Sequence, residues 1–200
     1  MAKRKSKVHV IGVVGLVENM ISSTAQRPGD VVESMAGDTI EVDNTDAEGR
    51  LVIADLITYT QKFYMPKTII DLATLTGAIV VSLGDLYAGL FSNNNNLAQQ
   101  LISSSKKTNE LVWKMPLHEH YDSQINSEIA DVKNTGGGSG SAGSIVAAQF
   151  IQRFIDKKID WAHLDIAGVI WKHTESDLYP KGATGFGVKL LNQYIEDFYE

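Results

Sequence analysis

A chain of 200 residues with 44% hydrophobic content, a net charge of −6 and no cysteine can bury one sizeable core, and it excludes disulfides, thiolate metal sites and cysteine nucleophiles. Lysines and arginines are scattered without a basic face, which argues against nucleic acid, and no apolar run is long enough to span a membrane. Oxygen and imidazole remain as the metal-ligating chemistry.

Lys3, Arg4, Lys5 and Lys7 lead into an apolar run over 8–17, with Ser23-Thr24-Ala25 behind it, the outline of a secretion signal. His9 within the run, Gly12, Gly15 and the β-branched content fit a buried strand over 8–14 instead. Pro28-Gly29 marks a turn, and a short strand is expected over 39–42. Leu51, Ala54, Leu56 and Ile57 recur at helical spacing, which predicts a helix over 51–63 that must stop before Pro66. Strands are expected over 68–72 and 79–83, and a helix over 97–103 after the polar turn N-N-N-N at 93–96. Residues 134–144, N-T-G-G-G-S-G-S-A-G-S, are of low complexity, and Ser144 can cap a helix over 145–155. A strand is expected over 161–166, then a C-terminal helix with Val188, Leu191, Ile195 and Phe198 on its apolar face. Strands separated by helices, with no repeat and no linker, predict one α/β domain over 1–200, a mixed sheet flanked by helices whose ligands gather beyond the strand ends.

Residues 44–50, N-T-D-A-E-G-R, sit between a predicted strand and a predicted helix. Two arrangements fit them. On an extended segment Asp46, Glu48 and Arg50 point to one face, so that two acids and a base share a site. Alternatively Thr45 and Glu48 form a capping box, with acids in the first turn complementing the helix dipole.

Elsewhere the chemistry is thinner. The glycine-rich stretch lacks G-K-[ST] and G-x-G-x-x-G, so it reads as a loop near a site rather than a nucleotide cradle. His118 and His120 could pair on a strand but have no third ligand at useful spacing. His163, inside W-A-H-L-D-I-A-G, reads as a packed, hydrogen-bonded histidine, and no G-x-S-x-G elbow presents a serine nucleophile.

The motif N-T-D-A-E-G-R followed by L-V-I-A-D resembles the signature of the leucine aminopeptidase, or cytosol aminopeptidase, family of two-metal exopeptidases. D-L-A-T-L-T-G-A at 71–78, G-L-F-S-N at 89–93 and W-A-H-L-D-I-A-G at 161–168 are similar to that family in the same order, as are V-I-G-V-V-G-L-V-E-N at 10–19 and A-Q-R-P-G-D at 25–30. The resemblance implies a pair of divalent ions, manganese, zinc or magnesium, that acidify a water and polarise the amide next to a free amino terminus. By position it implies that Glu48 bridges the metals, Asp46 binds one of them, and Arg50 holds a bicarbonate that acts as general base. Thr74, Leu75 and Gly77 match residues lining the substrate site, with Asn44 and Ala47 shaping the same pocket. Peptide substrates, a leucine-like first residue, a homohexamer and a cytoplasmic setting are further implications.

The family's remaining ligands, a lysine and two aspartates, and a second catalytic lysine lie upstream around K-G-x-T-F-D and M-K-x-D-M motifs, and neither motif is present here. Lys3, Lys5 and Lys7 have no neighbouring aspartate, while Asp30, Asp38 and Asp43 follow the 8–14 run. The chain therefore resembles the C-terminal portion of a metalloaminopeptidase catalytic domain, expected to be inactive alone. The alternative is a non-catalytic binding or assembly module that retains the fold.

Overall fold

The structure, a computed structural model, describes residues 2–136, 142–175 and 181–200. In chain order its elements are β1 (Val31–Glu33), β2 (Thr39–Glu41), α1 (Gly49–Tyr64), β3 (Thr68–Ala73), α2 (Gly77–Leu83), β4 (Ala88–Ser92), α3 (Asn95–Thr108), β5 (Val112–Lys114), α4 (Glu119–Asp122), β6 (Val132–Lys133), α5 (Gly143–Arg153), β7 (Asp160–Asp165), β8 (Trp171–Lys172), β9 (Gly182–Ala183) and α6 (Val188–Tyr199). It is a mixed α/β fold with sheets flanked by helices. The chain divides into two compact units, one of Met1–Gly12, Ile70–Met115 and Trp161–Glu200, the other of Val13–Ile69 and Pro116–Asp160.

The first unit is built on a four-stranded sheet of order β3-β7-β4-β5. β7 runs antiparallel to β4, with Leu90 opposite Leu164, and β4 runs parallel to β5. Ala88, Leu90 and Phe91 of β4 are all buried, as a central strand covered on both faces requires. Leu90, Leu101, Ala162, Leu164 and Leu190 form the middle of this core, where α3 packs against α6. Glu110, 2% exposed, accepts hydrogen bonds from the Gly187 and Leu190 amides, so a buried carboxylate from a distant loop caps α6.

The second unit holds a smaller sheet, β1 antiparallel to β2 and β2 parallel to β6, with Ile40 opposite Val132 and Glu41 opposite Lys133. α1 and α5 pack on each other and bury Ala54, Ile57, Phe150 and Ile151. The Gln61 amide donates to the Phe154 carbonyl at 2.9 Å, tying the end of α1 to the end of α5.

The predicted strands over 39–42, 68–72 and 161–166 and the helix over 51–63 are present as β2, β3, β7 and α1. Five expectations change. The run over 8–14 forms no strand: Val10 is 46% and Val14 77% exposed, because strand-competent residues still need a neighbouring ladder, and no described strand pairs with them. Residues 79–83 are helical, not extended, since Thr76 accepts from the Ile79 amide and Gly84, at φ +64°, donates back to the Val80 carbonyl. Capping at both ends overrides the β-branched composition of G-A-I-V-V-S-L. Ser144 does not cap α5: it lies inside the helix and is buried, and Ala142 in a left-handed conformation holds the cap position. The buried face of α6 is Leu190, Tyr194 and Ile195, leaving Val188 72% exposed, because the Glu110 cap fixes the rotation of the first turn. The helix expected over 97–103 is longer at both ends, starting from an Asn94 cap that accepts from the Leu97 amide.

Candidate functional site

Sequence motifs 44–50 and 74–77 each fold into a capped turn at the start of a helix. In the second unit, β2 delivers the chain to Asn44, whose side chain accepts from the Asp46 amide at 2.9 Å and opens a 3₁₀ turn over Thr45–Ala47. Glu48 follows as the first residue before α1, in helical conformation and with no side-chain cap bond. The segment is thus neither the extended face nor the Thr45–Glu48 capping box: Asn44 does the capping and the turn is too tight for alternation. Asp46 is exposed, Ala47 and Glu48 are half-buried, and Glu48 lies 3.4 Å from the Asn19 amide nitrogen. Arg50, 7% exposed in the first turn of α1, donates to the Asn134 carbonyl at 2.7 Å. Beside Glu48 is an open hollow of about 230 Å³ with Glu33, Ser34 and Asp55 on its wall.

In the first unit, β3 ends at Ala73 and Thr74, Leu75 and Thr76 lead into α2. Asp165, 1% exposed at the end of β7, accepts from the Leu75 amide at 3.1 Å and from the Thr76 hydroxyl at 2.6 Å. One buried carboxylate therefore fixes the turn that carries Thr74, Leu75 and Gly77. Thr74 and Gly77 face solvent, and a Cβ at Gly77 would meet nothing within 4 Å. Gly168, at the end of W-A-H-L-D-I-A-G, is different: a Cβ there would sit 2.1 Å from the Gly84 carbonyl oxygen. Backbone against backbone leaves no side chain to yield. Gly168→Ala is expected to destabilise the protein by about 3 kcal/mol, as overpacking does, and urea denaturation checks it.

His163 is the packed histidine its context suggested, fully buried with Nδ1 2.5 Å from Asp71 Oδ1. Asp71 Oδ2 also accepts from Trp161 Nε1 at 2.7 Å, so one carboxylate of β3 anchors two side chains of β7. His118 and His120 do not pair on a strand: His118 caps α4, its Nδ1 accepting from the His120 amide at 3.1 Å. Within the glycine-rich stretch, residues 137–141 lie outside the described residues.

Sequence reasoning missed Asn134 and Asp165, the two buried groups that hold these turns. Their partners are about 90 residues away, so no local spacing could reveal them.

The donor chemistry of Asp46 and Glu48 suits hard divalent ions, which take oxygen ligands. Their number does not suffice: among the described residues no group of three or more His, Cys, Asp or Glu side chains could hold a metal ion. Metal chemistry of the kind implied by the resemblance needs further ligands besides these two.

Comparison with known proteins matches residues 1–192 to the catalytic domain of the cytosol aminopeptidase family. A probable cytosol aminopeptidase of Rickettsia bellii (strain OSU 85-389) is 58% identical over 200 residues, all of this chain and 40% of the relative. The cytosol aminopeptidase of Rickettsia prowazekii (strain Madrid E) is 58% identical over 198 residues, again 40% of its length. Among solved structures, the K354E mutant of tomato leucine aminopeptidase is similar with a TM-score of 0.82 and 46% identity, over 89% of this chain and 34% of that one. The chain spans about 40% of the length of the curated relatives it matches.

Proposed function

Because the chain belongs to the cytosol aminopeptidase family, we propose that it carries part of a two-metal aminopeptidase that releases N-terminal residues, leucine-like ones preferred, from peptides. The observation that carries this reading is the family match over residues 1–192, supported by the succession of Asp46 on an Asn44-capped turn, Glu48 at the start of α1 and Arg50 in its first turn. Asp46 and Glu48 would be the carboxylates that hold the divalent ions, Glu48 serving both, and the ions would supply an acidified water and a polarised carbonyl. Arg50 holds an anion, bicarbonate, its guanidinium oriented by the Asn134 carbonyl. Asn44, Ala47, Thr74, Leu75 and Gly77 contact the substrate. Manganese, zinc or magnesium would be the metals. The remaining ligands come from an upstream segment, which leaves this chain inactive alone.

We extend the same proposal to a single catalytic domain over 1–200, a homohexamer and a cytoplasmic setting. The relatives are named cytosol aminopeptidases, and among the described residues no helix is long and apolar enough to cross a membrane. The shortfall of metal donors favours a second reading, a non-catalytic module that keeps the fold. Joining this chain to an upstream segment bearing the lysine and aspartate motifs, and assaying leucyl-anilide hydrolysis by this longer form, separates the two. Metal-dependent turnover supports the enzyme, and a folded but inert product supports the module.

Gly77 offers a sharper test of substrate contact. A Cβ at this position meets nothing within 4 Å, so Gly77→Val is expected to fold, which urea denaturation checks, and its effect then reports on the substrate. The added branches narrow the pocket, and a hydrophobic pocket change of this size is worth about 1–3 kcal/mol. In the longer form, kcat/KM for leucyl substrates falls by roughly 10- to 100-fold relative to alanyl ones. An unchanged ratio would place Gly77 away from the first side chain.

A further inference from the structure

We propose that Asn134 is a positioning residue for the carboxylate–arginine turn, setting the separation and orientation of Asp46, Glu48 and Arg50; this rests on the aminopeptidase reading above. The placement follows from strand register. β6 pairs with β2 through Val132 opposite Ile40 and Lys133 opposite Glu41, and the Asn134 amide continues that ladder to the Glu41 carbonyl at 3.0 Å. The next residue along β6 is therefore carried to the point where β2 opens into the turn.

There the fully buried Asn134 uses its whole side-chain amide. Its Oδ1 accepts from the Asp43 amide at 2.8 Å and from the Asn44 amide at 3.3 Å. Its Nδ2 donates to the Asn44 carbonyl at 2.7 Å and to the Ala47 carbonyl at 3.4 Å. Its own carbonyl accepts from Arg50 Nη1 at 2.7 Å. One residue thus grips the turn at residues 43, 44, 47 and 50, on both sides of Asp46 and Glu48. Thr135 adds a hydroxyl bond to the Asp43 carboxylate.

The chemistry of asparagine is specific to this task. The turn presents amide donors at 43 and 44 and carbonyl acceptors at 44 and 47, so its holder must donate and accept from one short planar group. Aspartate is the same size but sets an oxygen against the Asn44 carbonyl, and alanine removes the partner of both sets of part-buried groups. Asp46 and Glu48 themselves are lightly held among the described residues: Asp46 is exposed, and Glu48 accepts from the Asn19 side-chain amide at 3.4 Å. Their placement comes from the backbone that Asn134 grips.

The test compares wild type, Asn134→Ala and the isosteric Asn134→Asp, with Ile151→Val as a mild core truncation in the same unit. Amide hydrogen exchange on the 200-residue chain is the first readout, independent of any activity. Exchange at Asp43, Asn44 and Asp46 is expected to rise by about 10-fold or more in Asn134→Ala and less in Asn134→Asp, with β7 unchanged and Ile151→Val showing no such local rise. The second readout is kinetics of the longer form. Misplacing a reacting group by about 1 Å costs on the order of 100-fold, so kcat falls by about that factor in Asn134→Ala and about 10-fold in Asn134→Asp. KM for leucyl p-nitroanilide stays within about threefold, a split that general destabilisation does not produce. Wild-type exchange at Asp43 and Asn44 in the variants, or wild-type kcat despite faster exchange, overturns the assignment. If the wild-type longer form itself hydrolyses nothing, the aminopeptidase reading fails. The exchange data then decide the grip alone, local acceleration upholding it and wild-type rates overturning it.

Discussion

Glu48→Ala removes turnover from the longer form while leaving its stability nearly intact. Glu48 is half-buried, makes no cap bond and, among the described residues, meets the Asn19 side-chain amide at 3.4 Å, so its structural share is that of an acid near a helix N-terminus, about 0.3–1 kcal/mol. Its proposed chemical share is far larger, because losing a bridging carboxylate dismantles the metal pair. The loss of kcat exceeds the roughly 10- to 100-fold typical of changes one layer outside a metal, and metal content falls with it. Arg50→Ala behaves in the opposite way. Arg50 is 7% exposed and its guanidinium meets the Asn134 carbonyl, so truncation leaves a buried acceptor without its donor and costs about 1–3 kcal/mol of stability. The metals remain and activity falls less. Metal analysis, kcat and urea denaturation on both variants check the contrast. Full metal occupancy with normal turnover in Glu48→Ala would make Glu48 no more than a helix-start residue.

The 200-residue chain without an upstream segment is expected to show no aminoacyl-anilide hydrolysis above background. Two proposed carboxylate ligands, with no group of three or more His, Cys, Asp or Glu among the described residues, are fewer than a fixed two-ion geometry needs. Three of the acids and histidines that could substitute are engaged elsewhere. Asp30 accepts from the Arg27 amide, Asp43 is bonded by the Thr135 hydroxyl, and His118 spends Nδ1 on the His120 amide. An under-ligated pair of ions binds weakly, and its chemistry is lost with its geometry.

Much of the fold could be read from the chain because its signals are local. The Leu51, Ala54 and Ile57 spacing and Pro66 bracket α1, and the β-branched run before D-L-A-T-L-T-G gives β3. Where the reading went wrong, a distant partner or a cap decided the outcome. The 79–83 segment has strand composition, yet a threonine at one end and a glycine at the other made it α2. The 8–14 run has strand composition too, and without a neighbouring ladder it forms no strand and is exposed from His9 onward. Glu110 turned the buried face of α6 away from Val188, and nothing near either residue announces that contact.

The candidate site was legible as residue types and order, not as geometry. D-A-E-G-R suggested three side chains on one extended face, whereas a 3₁₀ turn capped by Asn44 carries the first acid and a helix carries the arginine. What sets that geometry is Asn134, which in sequence reads as the edge of a low-complexity stretch. Likewise Asp165 reads as one more acid in W-A-H-L-D-I-A-G, although its buried carboxylate holds the 74–77 turn. Hydrogen bonds spanning about 90 residues follow from strand register, and register emerges only once the sheets are assembled.

The most direct measurement is a calorimetric titration of manganese and zinc into the purified 200-residue chain, paired with a leucyl-anilide assay in bicarbonate buffer and repeated on the longer form. The expected result is weak, non-stoichiometric binding and no turnover by the chain alone, then two ions bound and metal-dependent hydrolysis once the upstream segment is joined. Tight binding of two ions with robust turnover by the short chain would contradict this, and would require some of Asp30, Asp38, Asp43, His118 or His120 to complete the site.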